Sequence, residues 1–232
     1  MAESENLAPL IAVVGADGSG KSRLSADLIE HINRRRRAEA GYLGEGSSVT
    51  GRKIGRWPLI GPMLKKAFER VADQLRDPAA PIPGIIAAKY ALHRSNRRHR
   101  RFQDLVEKRR RGVVIVTDRY PQVECPGLHD GPILAGVATR KTLARIQAEE
   151  RAIYEEMAAY VPTLVIRLRI DIDTAMKRKP DHDRNLVAMK IASLPAITFN
   201  NAPMLDLDAT MDYGEELARA EAAVNAVLAH AN

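Results

Sequence analysis

Cysteine is almost absent. One thiol, Cys125, in 232 residues excludes an internal disulfide and fits a reducing compartment. Aromatic residues make up 4% of the chain, with one tryptophan, too few for a surface of rings on which successive bases could stack. No apolar run reaches the length of a membrane span, and the start "MAESENLAPL" lacks the basic and apolar regions of a secretory signal, so a cytoplasmic protein is expected. Cys125 has no obvious base beside it and is read as unreactive. What is present is apolar mass and positive charge. Hydrophobic residues amount to 45%, enough for one well-covered core, and the formal charge of +7 favours anionic partners.

Apolar runs of strand length occur at "LIAVV" (10 to 14), "VVIVT" (113 to 117), "TLVIRL" (163 to 168) and "PMLDLD" (203 to 208), with a weaker candidate at "AGYLG" (40 to 44). Helix-like segments separate them at 21 to 38, 62 to 76, 85 to 110, 138 to 160, 173 to 190 and 214 to 229. Alternation of this kind predicts a parallel sheet covered by helices on both faces, in one α/β domain over 1 to 232.

Between the first strand and first helix stands "GADGSGKS". Gly15, Gly20, Lys21 and Ser22 fit G-x-x-x-x-G-K-[ST] in strand-loop-helix context, a phosphate-binding P-loop. Its glycines let backbone N–H groups gather into an anion nest at a helix N-terminus. Lys21 then reaches the terminal phosphates of ATP, and the Ser22 hydroxyl is the expected ligand of Mg²⁺. Gly18, Ser19 and Arg23 complete the expected nucleotide cradle. Asp17 is unusual there, because a carboxylate weakens the field that holds phosphate. It is expected to face a sugar hydroxyl, or else to be a solvent-exposed turn residue. Asp118 follows the third apolar strand in "VVIVTDRYP", so Asp118 and Arg119 should meet the P-loop at the carboxyl ends of the strands. Asp118 could then hold a metal-bound water and Arg119 a phosphate.

"GADGSGKS" with "DRYP" resembles the thymidylate kinase-like group of P-loop nucleotide and nucleoside kinases, and "LRIDIDTAMKRKPDHDR" (168 to 184) resembles that family's fourth strand, helix and arginine-bearing lid. The resemblance implies a three-layer P-loop NTPase fold with a five-stranded parallel sheet of order 2-3-1-4-5. It also implies ATP with Mg²⁺ and phosphoryl transfer to a nucleotide or nucleoside. By the same resemblance Asp17 approaches the acceptor's 3′-hydroxyl, Arg119 binds its phosphate with Tyr120 beside it, and an arginine on the helix before the third strand contacts it too. Arg97 is the first choice for that contact and Arg98 the second, from the stripe of Arg94, Arg97 or Arg98, and Arg101. The polar segment at 177 to 190, broken by Pro180, reads as a lid that delivers Arg178 and Arg184 to the transferred group. His182 and His129 with Asp130 are weaker candidates, and Asp-Gly-Pro at 130 to 132 is equally a plain turn.

The resemblance thins at the acceptor. "LGEGSS" (43 to 48) lacks the Glu-Pro pair usual in thymidylate kinases, and "CPGLHDGPIL" (125 to 134) replaces their base-contacting segment. The expected reaction is ATP-dependent phosphorylation of a nucleoside monophosphate, dTMP-like, with a nucleoside or other small-molecule kinase as the alternative. The expected partner is a small-molecule phosphate acceptor, without a membrane, and a homodimer is compatible with the sequence. A nucleotide-switched nucleic-acid binder working through the Arg-rich helix is the rival from another class. Against it, no Asn-Lys-x-Asp guanine signature is present.

Overall fold

The computed structural model describes residues 7–44 and 70–230. Strand β1 (Leu10–Gly15) runs into helix α1 (Lys21–Asn33), followed by β2 (Ala38–Gly41), a helical segment at 70–76 and the long α2 (Ile85–Arg110). Then come β3 (Val114–Thr117), α3 (Lys141–Ala158), β4 (Leu164–Arg169), α4 (Ile172–Arg178), α5 (Arg184–Ser193), a 3₁₀ turn at Leu194–Ala196, β5 (Met204–Asp208) and α6 (Tyr213–His230). The strands form one parallel sheet of order β2-β3-β1-β4-β5. That is the expected P-loop NTPase fold with the expected strand order.

Alternation along each strand explains the layering, since successive side chains point to opposite faces. Ile11 and Val13 of β1 pack with Leu24, Leu28 and Ile32 of α1 and with Ala220 and Val224 of α6. Leu10, Ala12 and Val14 turn the other way, onto Phe102 and Leu105 of α2 and Tyr154 and Met157 of α3. A third cluster joins the first halves of α2 and α3 through Ala88, Ala91, Leu143 and Ile146. β2 starts two residues before its expected position, and the segment expected as a helix at 62 to 76 lies partly outside the described residues.

One helix was expected at 173 to 190, and two are found. Pro180 lacks an N–H and cannot continue α4, so the chain turns, and Asp183 restarts it by accepting from the backbone N–H groups of Asn185 at 2.8 Å and Leu186 at 3.0 Å. Among the described residues no helix is long and apolar enough to cross a membrane.

Candidate active site

In the order 2-3-1-4-5 the chain leaves β1 in one direction and returns past it in the other. The carboxyl ends of β1 and β3, side by side, therefore open onto a crevice. A cleft of about 360 Å³ lies there, lined by residues of the P-loop, of the segments after β2 and β3, of α2 and of α5.

Gly15 ends β1 against β4. A Cβ at this position would lie 2.9 Å from the Leu168 carbonyl oxygen and 2.5 Å from Ser19 Oγ, so only glycine allows the loop to turn here. Gly20 then enters α1 at φ 92°, a left-handed conformation costly for any residue with a Cβ. No side chain caps α1, which leaves its first backbone N–H groups available to an anion. Ser19 is buried, and its hydroxyl has no hydrogen-bond partner among the described residues. Lys21 donates to the carbonyls of Gly15 and Ala16, each at 2.8 Å. Burial lowers its ammonium pKa to about 8, against the opposing pull of Asp17.

Ser22 donates to Asp118 Oδ2 at 3.0 Å, bringing a hydroxyl and a carboxylate together at the mouth of the cleft. This all-oxygen pair suits a hard cation such as Mg²⁺ that takes its remaining ligands from phosphate and water. Among the described residues no group of three or more His, Cys, Asp or Glu side chains forms a self-sufficient metal cage.

Asp17 faces the cleft, but its partner is Lys190 of α5, whose Nζ lies 2.5 Å from Asp17 Oδ2. His182 Nδ1 lies 3.8 Å from the same oxygen. Burial would raise the Asp17 pKa, yet the ion pair and hydrogen bond to Lys190, with help from Lys21 and His182, hold it at about 2. Asp17 is thus neither a bare turn residue nor an unpaired carboxylate.

On the opposite wall, Arg98 is 4% exposed and commits its guanidinium to protein groups. It donates to the Leu43 carbonyl at 3.1 Å, to the Asp130 carbonyl and carboxylate, each at 2.9 Å, and to the Tyr154 hydroxyl at 3.2 Å. Arg119 reaches Asp130 Oδ1 at 3.4 Å and leaves 42% of its side chain exposed. The two guanidiniums hold the Asp130 carboxyl below its usual range despite burial. His129 and Asp130 both adopt positive φ, 47° and 62°, a strained backbone that aims the loop's polar groups at this wall. Tyr120 is buried and donates to the Tyr160 carbonyl, which spends its hydroxyl on structure.

Several of the expected site residues lie away from the cleft. Arg97 is exposed and does not line the cleft. The buried stripe of α2 runs through Ala88, Ala91, Ser95, Arg98, Phe102 and Leu105, and one residue back from Arg98 is rotated about 100° away. Arg94, one turn earlier than Arg98, lines the cleft instead. Arg23 stacks on the Tyr213 ring, 3.6 Å from its centroid, outside the cleft. Arg184 pairs with exposed Asp173 at 2.7 Å. Arg178 donates to the carbonyls of Gly18 at 3.1 Å and Ala209 at 2.9 Å, so it braces the P-loop from outside the cleft wall. Sequence reasoning passed over Lys190 and Arg76, both of which line the cleft. For Lys190 the signal was its place one turn after Leu186 and one before Leu194, on the inner face of α5.

No protein-family model matches the chain. The uncharacterised ATP-binding protein YghR of Escherichia coli is 38% identical over 221 residues, 94% of this chain and 87% of that protein. YghS of the same organism, also described as an uncharacterised ATP-binding protein, is 38% identical over 221 residues, 94% of this chain and 93% of its own. Among solved structures, deoxyadenosine kinase from M. mycoides, with the products dCMP and a flexible dCDP bound, superposes with a TM-score of 0.53 at 15% identity. That match covers 94% of this chain and 99% of the kinase, and it shows a shared fold. At this level of identity and coverage, the chain belongs to the family of the ATP-binding proteins YghR and YghS.

Proposed function

We propose that the protein is an ATP-dependent kinase that transfers a phosphoryl group to a nucleoside monophosphate, dTMP or a close relative. One observation carries this reading: the P-loop lysine, Asp118 and a predominantly cationic wall line one cleft, and Ser22 is hydrogen-bonded to Asp118 beside it. The uncapped first turn of α1 and the Lys21 ammonium would receive the donor's phosphates. Ser22 and Asp118 would hold Mg²⁺, which when bound adds positive charge at the phosphate oxygens. The acceptor's phosphate oxygen would attack the γ-phosphorus while the bond to the β–γ bridging oxygen breaks and ADP departs. Arg119, half-exposed and bonded to Asp130 through one nitrogen among the described residues, would hold the acceptor's phosphate.

A second reading, a nucleoside acceptor, is favoured by Asp130. Its carboxylate already balances part of the charge of Arg98 and Arg119, which reduces the need for an anionic ligand on that wall. A deoxyadenosine kinase on the same fold is in keeping with it. ADP release with Mg-ATP across a panel of monophosphates and their nucleosides separates the two. The first reading expects monophosphates to turn over far faster, with Lys21→Met inactive but folded by circular dichroism. Turnover of a nucleoside while every monophosphate stays inert transfers the assignment to the second.

A further inference from the structure

Arg178, Arg184 and Lys190 stand along the segment at 177–190, and the structure treats them differently. Arg178 is bound to two backbone carbonyls, and Arg184 lies with Asp173 at an exposed edge. Only Lys190 projects into the cleft, from the face of α5 that carries Leu186 and precedes Leu194. α5 is held for this purpose at its start by the Asp183 cap and in its middle by Val187, 2% exposed in the core. The Lys190 ammonium therefore sits over the P-loop on a supported helix, within 2.5 Å of Asp17. Lys21 is close enough to Asp17, Arg119 and Lys190 for each of them to perturb its charge.

We infer that Lys190 is a catalytic residue that meets the transferred phosphoryl group, and that Asp17 holds it in readiness over the P-loop. This rests on the kinase reading above. A carboxylate inside a phosphate loop weakens the field for phosphate unless a cation cancels it. Lys190 cancels it, so the pair costs the donor little, and the ammonium stays within reach of the γ position. Lysine suits the task because its charge is a compact point on a flexible stem, able to turn from carboxylate to phosphoryl oxygen without moving the helix. The charge that develops on peripheral oxygens during transfer is then met by Lys21 on one side and Lys190 on the other.

The test needs no acceptor. Thermal unfolding is measured for the full chain with Mg²⁺ and ADP, then with aluminium fluoride added as a mimic of the transferred group. Wild type should be stabilised by ADP and further by the fluoride. Lys190→Met should keep the ADP shift and lose the fluoride increment, and Lys190→Arg should recover most of it. Once an acceptor is in hand, Lys190→Met should lower kcat by ~10² to 10³ while KM for ATP changes by less than ~3-fold. An unchanged fluoride increment in Lys190→Met overturns the assignment, as does a wild-type protein that binds ADP but gains nothing from fluoride. A wild type that ignores ADP altogether overturns the kinase reading itself.

Discussion

Lys21 is held in two ways that pull against each other. Burial favours its neutral form and brings its pKa down to about 8, whereas two carbonyls and Asp17 favour the ammonium. A bound polyphosphate adds negative charge beside it and must raise that value, so binding takes up a proton near and above pH 8. Nucleotide affinity should consequently fall as pH climbs through about 8 in the wild type. Lys21→Arg, whose charge does not titrate, should flatten the dependence if it still binds. Calorimetry in buffers of different ionisation enthalpy reads the proton directly, and a heat independent of buffer would refute the uptake. The linkage to folding has the opposite slope. Between about 8 and the ordinary lysine value of 10.5 the unfolded chain binds more protons at this site, so its contribution to stability improves as pH rises. Arg98 is a different case, because its charge is spent on the fold. Arg98→Met takes from Asp130 its closest cation and removes donors from the carbonyls of Leu43 and Asp130, and should cost ~3 to 5 kcal/mol in a urea melt. A loss below about 1 kcal/mol would show that the cluster is solvated.

At the scale of elements, the segment at 177–190 was the least legible part of the sequence. Strands β1, β3 and β4 could be read because each is a short apolar run buried on both faces, and β5 because its alternation buries Leu207 between exposed aspartates; the bounds of all four agree with the structure to within a residue. β2 has the burial pattern of an edge strand, buried only at its ends, and its sequence signal was correspondingly weak. In α2 the choice between Arg97 and Arg98 turned on one residue of rotation. Anchoring the phase on Ala88, Ala91, Phe102 and Leu105 would have selected Arg98. The P-loop and Asp118 were legible because a motif fixes them locally. Lys190 was not, because its contact with Asp17 comes from the angle at which α5 returns over the loop, after the break at Pro180 and the Asp183 cap. Asp183→Ala should therefore act twice. It should cost about 1 kcal/mol through the lost cap, and it should speed amide exchange in 184–193 more than in β1 or α1. Uniform acceleration over the whole chain would mean that α5 does not open on its own.

Across the whole molecule, the two strands that carry the site, β1 and β3, are neighbours in the middle of the sheet, and β1 contributes side chains to both main cores. A ligand that bridges their carboxyl ends is therefore coupled to the centre of the sheet, and its binding should appear as global stabilisation. At ~100 times its dissociation constant a nucleotide adds ~2.7 kcal/mol. For a chain of 232 residues that corresponds to roughly 5 to 10 °C in Tm. The net charge of +7 attracts any polyanion, so the shift must be separated from general electrostatic binding. Salt makes the separation. Binding that merely neutralises surface charge loses affinity steeply between ~50 and ~200 mM salt, whereas phosphate in a P-loop is held by directed N–H groups and a buried ammonium that salt screens much less. Mg-ADP should thus retain most of its Tm shift at the higher salt, and a single-stranded oligonucleotide should lose any shift it has. A monophosphate acceptor added to Mg-ADP should stabilise further, and Arg119→Ala should abolish that increment while sparing the ADP shift. If the oligonucleotide kept its stabilisation at high salt and ADP did not, the basic face of α2 would be the working surface and the P-loop a subordinate switch.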